Sequence, residues 1–341
     1  MICNMQSTRR KPKWKKATIP VKSTWRRLCY NDVSGVFVAT DHNVPAQGIY
    51  SYDGIHWNKI TDYVSAGLGV DELFLWRGMF TSGCRSWSEN GKEWKKTDLP
   101  AGVRSYRQIL GDGKIVSVDG GETHSCAVST DGINWTIGTF PEGRIGVSTY
   151  FNGKFIVFNL DKNAFWYSDD GLNWRASGVL PEQSWLLNSA CSPDRIVSVS
   201  RTMYHNGADK NPGGFYSNDG ISWIQTKLPC ACACDVIYAF DKFHIISETG
   251  EVYSSSDCLN WSQAKGVFGD GWSSLHYEQG KLFYFYRNDM HYTSDGETWK
   301  KCKLPISGST PYFVACGKGR IVVLNHSGNE VAYLDDFHEC L

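Results

Sequence analysis

"STDGINW", residues 129–135, recurs as "SYDGIHW" from 51, "SENGKEW" from 88, "SDDGLNW" from 168, "SNDGISW" from 217, "SSDCLNW" from 255 and "TSDGETW" from 293. The closing tryptophans Trp57, Trp94, Trp135, Trp174, Trp223, Trp261 and Trp299 follow one another at steps of 37 to 49 residues. A period near forty marks a repeat architecture, in which each unit buries its apolar face against its neighbours.

One unit reads the same way each time. After Trp94 come the polar run "KKTDLP", the apolar "RSYRQIL", the turn "GDGK", the strand-like "IVSV", the loop "DGGETH" and then "CAVSTDGINW". Short runs of Val, Ile, Tyr and Phe between Gly-rich turns read as strands, and no stretch keeps helical periodicity for ten residues. Four strands in some forty residues, repeated, is the arithmetic of an all-β propeller built from four-stranded antiparallel blades.

The motif is the hairpin from third to fourth strand. In "SNDGIS" the residues Asn218, Asp219 and Gly220 fit a type I turn followed by a left-handed residue, which Gly adopts without a Cβ clash. Asp53, Asn90, Asp131, Asp170, Asp219, Asp257 and Asp295 hold the position that accepts the turn's own amides. Full burial of each tryptophan would give on the order of 4 to 6 kcal/mol before entropy is subtracted, so these residues are expected to be scaffold.

The pattern resembles the Asp-box, or bacterial neuraminidase repeat, of sialidases and related propellers, along nearly the whole chain. It departs from the family form in spacing, because Asp131 and Gly132 are adjacent. Tighter loops of this kind are similar to those of propellers in bacteriophage tails and on some bacterial surfaces. The resemblance implies that the hairpins lie on the face away from any active site.

The chain ends set the blade count. After Trp299 the sequence supplies the first three strands of another unit and no fourth, while "KPKWKKATIP" at 11–20 matches "EWKKTDLP" and "WKKCKLP", which puts Trp14 at a fourth-strand tryptophan position. In "YLDDFHECL" the motif has decayed, with Asp336, Phe337 and Cys340 at the Asp, Gly and Trp positions. The expectation is an eight-bladed ring, with seven blades as the alternative. Residues 1–341 form one domain, 1–10 an N-terminal arm, and 11–20 the outer strand completing the C-terminal blade 309–336.

Composition narrows the function classes. Of 341 residues 41% are hydrophobic and the net charge is zero, which excludes disorder and argues against a nucleic-acid partner, since such binders usually carry a basic excess. The basic run "RRKPKWKK" at 9–16 reads as lysines guarding a strand edge. No stretch reaches the length of a membrane span, and "MICNMQSTRR" lacks a signal's apolar core, so synthesis in a cytoplasm and no membrane insertion are expected. The 12 cysteines read as mostly buried thiols. "CACAC", with Cys230, Cys232 and Cys234, lacks the paired C-x-x-C form of a zinc site, and no metal or cofactor is expected.

In an alternating meander the motif hairpins and the first-to-second turns share one face. The second-to-third loops and blade links share the other, where variation collects: "DHNVPAQ" at 41–47, "DGGETH" at 119–124, and the insertion "SRTMYHNGADKNPGG" at 200–214, with Arg201, Tyr204, His205, Asp209 and Lys210 as binding candidates. Counting back from the first turns places Trp25, Arg104, Arg144, Trp185 and Trp272 at the channel mouth, together with Cys232. Aromatic faces for sugar rings and guanidinium donors for carboxylates suit an acidic glycan.

Catalysis is not expected. The resemblance to sialidases implies an arginine triad with a tyrosine–glutamate pair, and Arg104, Arg144, Arg201 and Arg287 fall in different blades with no such pair. No G-x-S-x-G, H-E-x-x-H or phosphate loop is present. The sequence thus reads as a non-catalytic display or docking platform of a bacteriophage tail or virion, whose partners are other tail proteins and a host-surface glycan. A sialidase-like hydrolase and a secreted or surface lectin are the alternatives.

Overall fold

The computed structural model describes residues 13–41, 46–61, 73–97, 107–121, 123–181, 184–200, 213–230, 232–265, 274–306 and 312–337. Six antiparallel sheets have four strands each, and a seventh sheet has seven. The innermost strands of blades 2 to 8 are Leu73–Trp76, Arg107–Gly111, Ile145–Phe151, Leu186–Cys191, Ala233–Ala239, Leu275–Glu278 and Tyr312–Gly317.

The seven-stranded sheet is blades 8 and 1 joined through one strand, Lys15–Asn31. Its first half lies along Ser327–Asp335 as the outer strand of blade 8, pairing Lys15 with Tyr333 and Thr18 with Glu330. Its second half becomes the innermost strand of blade 1, pairing Leu28 with Ala39. The ring therefore has eight blades and is closed by strands from both ends. Lys15–Asp335 at 3.0 Å and Lys16–Glu330 at 2.8 Å flank the seam. Exposed pairs of this kind fix register more than they stabilise.

Burial follows position in the blade. The second strands, covered by neighbouring blades on both faces, are continuous buried runs such as Val36–Asp41 and Ile196–Ser200. The fourth strands, such as Arg175–Val179, are mostly exposed. Among the described residues seven apolar clusters fill the junctions between blades, all but the one between blades 2 and 3. Among the described residues no helix is long and apolar enough to cross a membrane.

The motif hairpins are wedges between blades. Gly54, Gly91, Gly132, Gly171, Gly220 and Gly296 all have φ between +73° and +84°. A Cβ at Gly171 would sit 2.5 Å from Val116 of the preceding blade. Glycine is thus required both by the left-handed backbone and by the close approach. In blade 6 Cys258 takes the same place at φ +54°.

The tryptophans complete the wedge, with Trp223 stacked on Phe165 of blade 4 at 3.5 Å. Only Trp57 and Trp94 are buried; Trp135, Trp174, Trp223, Trp261 and Trp299 are half-buried. The full-burial energies expected from sequence are therefore too large for those five, because their outer edges stay in solvent on the rim. Trp14 packs with Phe337 and Cys302 at the junction of blades 7 and 8, the place a motif tryptophan holds elsewhere.

Candidate functional site

The motif face is held together by bonds within each hairpin. Ser51 donates to Asp53 at 3.0 Å and accepts the Gly54 amide at 2.8 Å, while the amides of Ile55 and His56 both donate to Asp53. In five hairpins the residue before the tryptophan adds a bond to the second carboxylate oxygen: His56, Asn134, Asn173, Ser222 and Asn260, at 2.6 to 3.0 Å. Enclosure works against the charge of Asp53, Asp131 and Asp170, yet these donors hold all three carboxyls well below the usual range. Amide bonds are the leading cause of the same depression at Asp257 and Asp295. These carboxylates are consumed by structure.

The opposite face presents a different arrangement across blades 3 to 5. Arg144, in the link entering blade 4, donates through Nε and Nη2 to Asp161 at 2.9 and 2.7 Å. Its backbone amide meets the other carboxylate oxygen at 2.7 Å, and its guanidinium lies 5.0 Å from the centre of the Trp185 ring in the next link. The Arg144 bonds hold the Asp161 carboxyl below its ordinary range. Asp161 is positioned in turn by Asn159, the last residue of its strand, whose side chain accepts the amides of Asp161 and Lys162 and donates to the Glu142 carbonyl.

Below this rim the channel wall opens into a chamber of about 190 Å3 lined by Arg107, Gln108, Gly146, Val147, Ser148, Asn188 and Ser189. The lining brings one guanidinium, two amides and two hydroxyls together, and none of the described lining residues is acidic. Such a lining offers hydrogen bonds and positive charge to an anionic group. Asn188 is anchored there by donating to the Cys234 carbonyl of blade 6 at 2.6 Å.

The wall of blades 6 and 7 carries acids instead. Burial pushes Asp235 up to about 6, against amide bonds from Leu275 and Val236, so it serves as a brace between these blades. Burial also lowers His276 to about 4, and Ser274 lies 3.0 Å from its Nε2. An imidazole of that basicity is a poor general base near neutral pH.

Glu278 is pushed up to about 7 by burial alone, from an ordinary 4.5. The folded state holds this proton more tightly than the unfolded chain does, so its contribution is favourable below pH 4.5 and is lost as pH rises toward 7. Glu278→Gln should match the native protein in denaturation midpoint at pH 4.5 and exceed it at pH 8, by about 1 to 2 kcal/mol after solvent screening. Equal stability at both pH values would show that the carboxyl is not enclosed.

The structure brings together Arg144 and Trp185 of the residues singled out from sequence. Trp25 does not belong with them: it is fully buried, its amide bonded to the His326 carbonyl at 2.7 Å and its Nε1 to Gly328 at 3.2 Å. The chain crosses there from blade 8 into blade 1, so His326 and the start of the strand Ser327–Asp335 cover the ring and remove it from the mouth. Arg201, Tyr204, His205, Asp209 and Lys210, with Arg104 and Trp272, lie outside the described residues. In the "DGGETH" loop, Asp119 accepts bonds from Gly121 and Thr123, so its charge faces inward. Cys232 and Cys234 are buried, Cys230 is half-buried, and no group of three metal-binding side chains occurs among the described residues.

Sequence reasoning missed Arg107, Asn188 and Asp161. For Asp161 a signal existed, since polar residues such as Asp41, Asp119, Asn159 and Asn325 end the second strands and organise the loops that follow.

No protein-family model and no curated protein sequence matches the chain. Among solved structures it is similar to Saccharomyces cerevisiae Sqt1, with a TM-score of 0.67 at 8% identity over 96% of this chain and 99% of that one. It is also similar to virginiamycin B lyase from Staphylococcus aureus, at 0.62 and 12% over 95% and 99%. A third is YCF48 bound to a D1 peptide, at 0.55 and 14% over 94% and 95%. At these identities the likeness establishes the β-propeller fold, which here is shared by an enzyme and by a protein caught binding a peptide.

Proposed function

We propose that the protein is a non-catalytic binding platform of a bacteriophage tail or virion, made in the host cytoplasm, and that the mouth across blades 3 to 5 recognises an acidic glycan of the host surface. The observation that carries this reading is the stacked Arg144–Trp185 pair above a chamber with a guanidinium and no carboxylate among its described lining residues. Trp185 offers an aromatic surface for a sugar ring, and Arg107 with Ser148 and Ser189 offers donors for a carboxylate. The anchoring of Arg144 by Asp161 and of Asn188 by the Cys234 carbonyl limits the ordering cost of binding at those two side chains. A peptide-bound propeller among the structural neighbours favours one second reading, in which the same mouth docks an acidic segment of another tail protein.

Arg107→Ala should weaken binding to carboxylated glycans about 10- to 100-fold on an array while leaving the unfolding midpoint near native, the size expected for a charge-assisted bond. Binding of neutral glycans at equal strength, or loss of none on substitution, would remove the glycan reading. Release of free sugar from a bound glycan would make the protein a hydrolase instead.

A further inference from the structure

On the motif face, at the rim and away from the mouth just described, a groove of about 610 Å3 opens between blades 6 and 7. It is lined by Ser254, Asn260, Thr298, Lys242 and Lys265, among others, with no aromatic side chain among the described lining residues. Register explains why it exists. The residue preceding the motif hydroxyl position is Tyr50, Trp87, Val128, Tyr167, Tyr216 and Tyr292 in six blades, and Tyr333 precedes the decayed motif of blade 8. Blade 3 keeps an apolar filler in Val128, packed with Trp174, whereas blade 6 has the small polar Ser254 there.

Elsewhere that side chain fills the junction with the following blade beside its rim tryptophan. Tyr50 shares a cluster with Trp94, Tyr167 with Trp223, Tyr216 with Trp261 and Tyr333 with Trp57. A cation covers the ring in most blades: Lys95 over Trp87 at 4.6 Å, Arg195 over Tyr216 at 4.9 Å and Arg320 over Tyr333 at 5.3 Å. Lys242 holds the position of Arg195 and Arg320 at the start of the second strand, and it lines the groove while paired with Glu297 at 2.7 Å. Blade 6 has kept the cation and given up the ring.

We infer that the groove between blades 6 and 7 receives an aromatic side chain, specifically a tyrosine, from a segment of a partner polypeptide. The scaffold houses a ring at this place in six of the eight blades, and a guest ring would meet Lys242 and Lys265 over its face. Ser256, Asn260 and Ser262 offer partners for the phenolic hydroxyl, which a buried tyrosine needs. A pyranose ring is the poorer guest, since the described lining residues give it no aromatic surface to stack on. The inference stands apart from the glycan reading, because it concerns the other face and other residues.

N-acetyl-tyrosinamide titrated into the native protein should shift the amide resonances of Ser254, Asn260 and Thr298, while N-acetyl-alaninamide should leave them in place. Ser254→Tyr restores the ring from within, so it should keep or raise the unfolding midpoint and reduce the tyrosinamide shifts at least tenfold. No shift in the native protein, equal shifts with alaninamide, or undiminished shifts in Ser254→Tyr would each overturn the inference. The native titration decides the matter by itself if the variant fails to fold.

Discussion

A chain lacking residues 1–20 should yield no cooperatively folded propeller. The truncation removes the pairing of Lys15–Thr18 with Glu330–Tyr333, both seam ion pairs, and the buried Ile19. It leaves Ser327–Asp335, with buried Val331, Ala332 and Leu334, as an open edge ready to pair with another chain. Because each blade buries its faces only against neighbours, opening one junction exposes two apolar surfaces at once. Against a net stability of about 5 to 15 kcal/mol, that loss is enough to unfold the ring.

The matching experiment supplies the missing strand covalently. A circular permutant joins Phe337 to Lys13 through a short Gly-Ser linker, with new ends at the exposed Asn152–Gly153 turn of blade 4. It should melt in one transition at or above the native midpoint, since Trp14 and Phe337 already share one cluster. Calorimetry on the two proteins reads both outcomes. A truncated chain that still melts cooperatively would show that the seam adds little.

The hairpins and the seam were legible in sequence because both rest on local chemistry. A turn that needs Gly at a left-handed position and Asp to bind its own amides prints the same letters wherever it occurs. The decayed motif at Asp336 and Phe337 was readable as the place where no hairpin is needed. The channel wall was not legible in that way. Four innermost strands slip register near their start, between Trp25 and Arg27, Ile145 and Ser148, Leu186 and Asn188, and Ala233 and Asp235. In blades 4 and 5 counting back from a turn therefore loses its phase at the bulge, so that Gly146, Val147, Ser148, Asn188 and Ser189 line the chamber near the counted Arg144 and Trp185.

Trp25 was misread for a related reason, since sequence gives the order of strands and not the diagonal crossing that buries it. The slot at Ser254 was invisible for the opposite cause: a serine in a serine run carries no signal until eight blades are laid in register. Arg144 and Trp185 were each visible, but their union depends on Asp161, whose loop sits on the turn that Asn159 builds.

The wedge itself can be weighed with two glycines. Gly171→Ala should cost about 2 to 4 kcal/mol, of which about 1 to 2 comes from forcing an L-residue to φ +84°. The remainder comes from a Cβ placed 2.5 Å from Val116 Cγ2 and 2.9 Å from Val128 Cγ2, across the junction of blades 3 and 4. Gly153→Ala provides the comparison, because Gly153 has φ +75° and nothing within 4 Å of the added atom. Its cost should be the conformational part alone, about 1 to 2 kcal/mol. Denaturant midpoints measured on both variants separate the two contributions, and the difference between them is the cost of prising one blade from the next. Should the two variants lose the same amount, the hairpin would be resting on the neighbouring blade without holding it, and the rim tryptophans would have to supply the contact that keeps the ring shut.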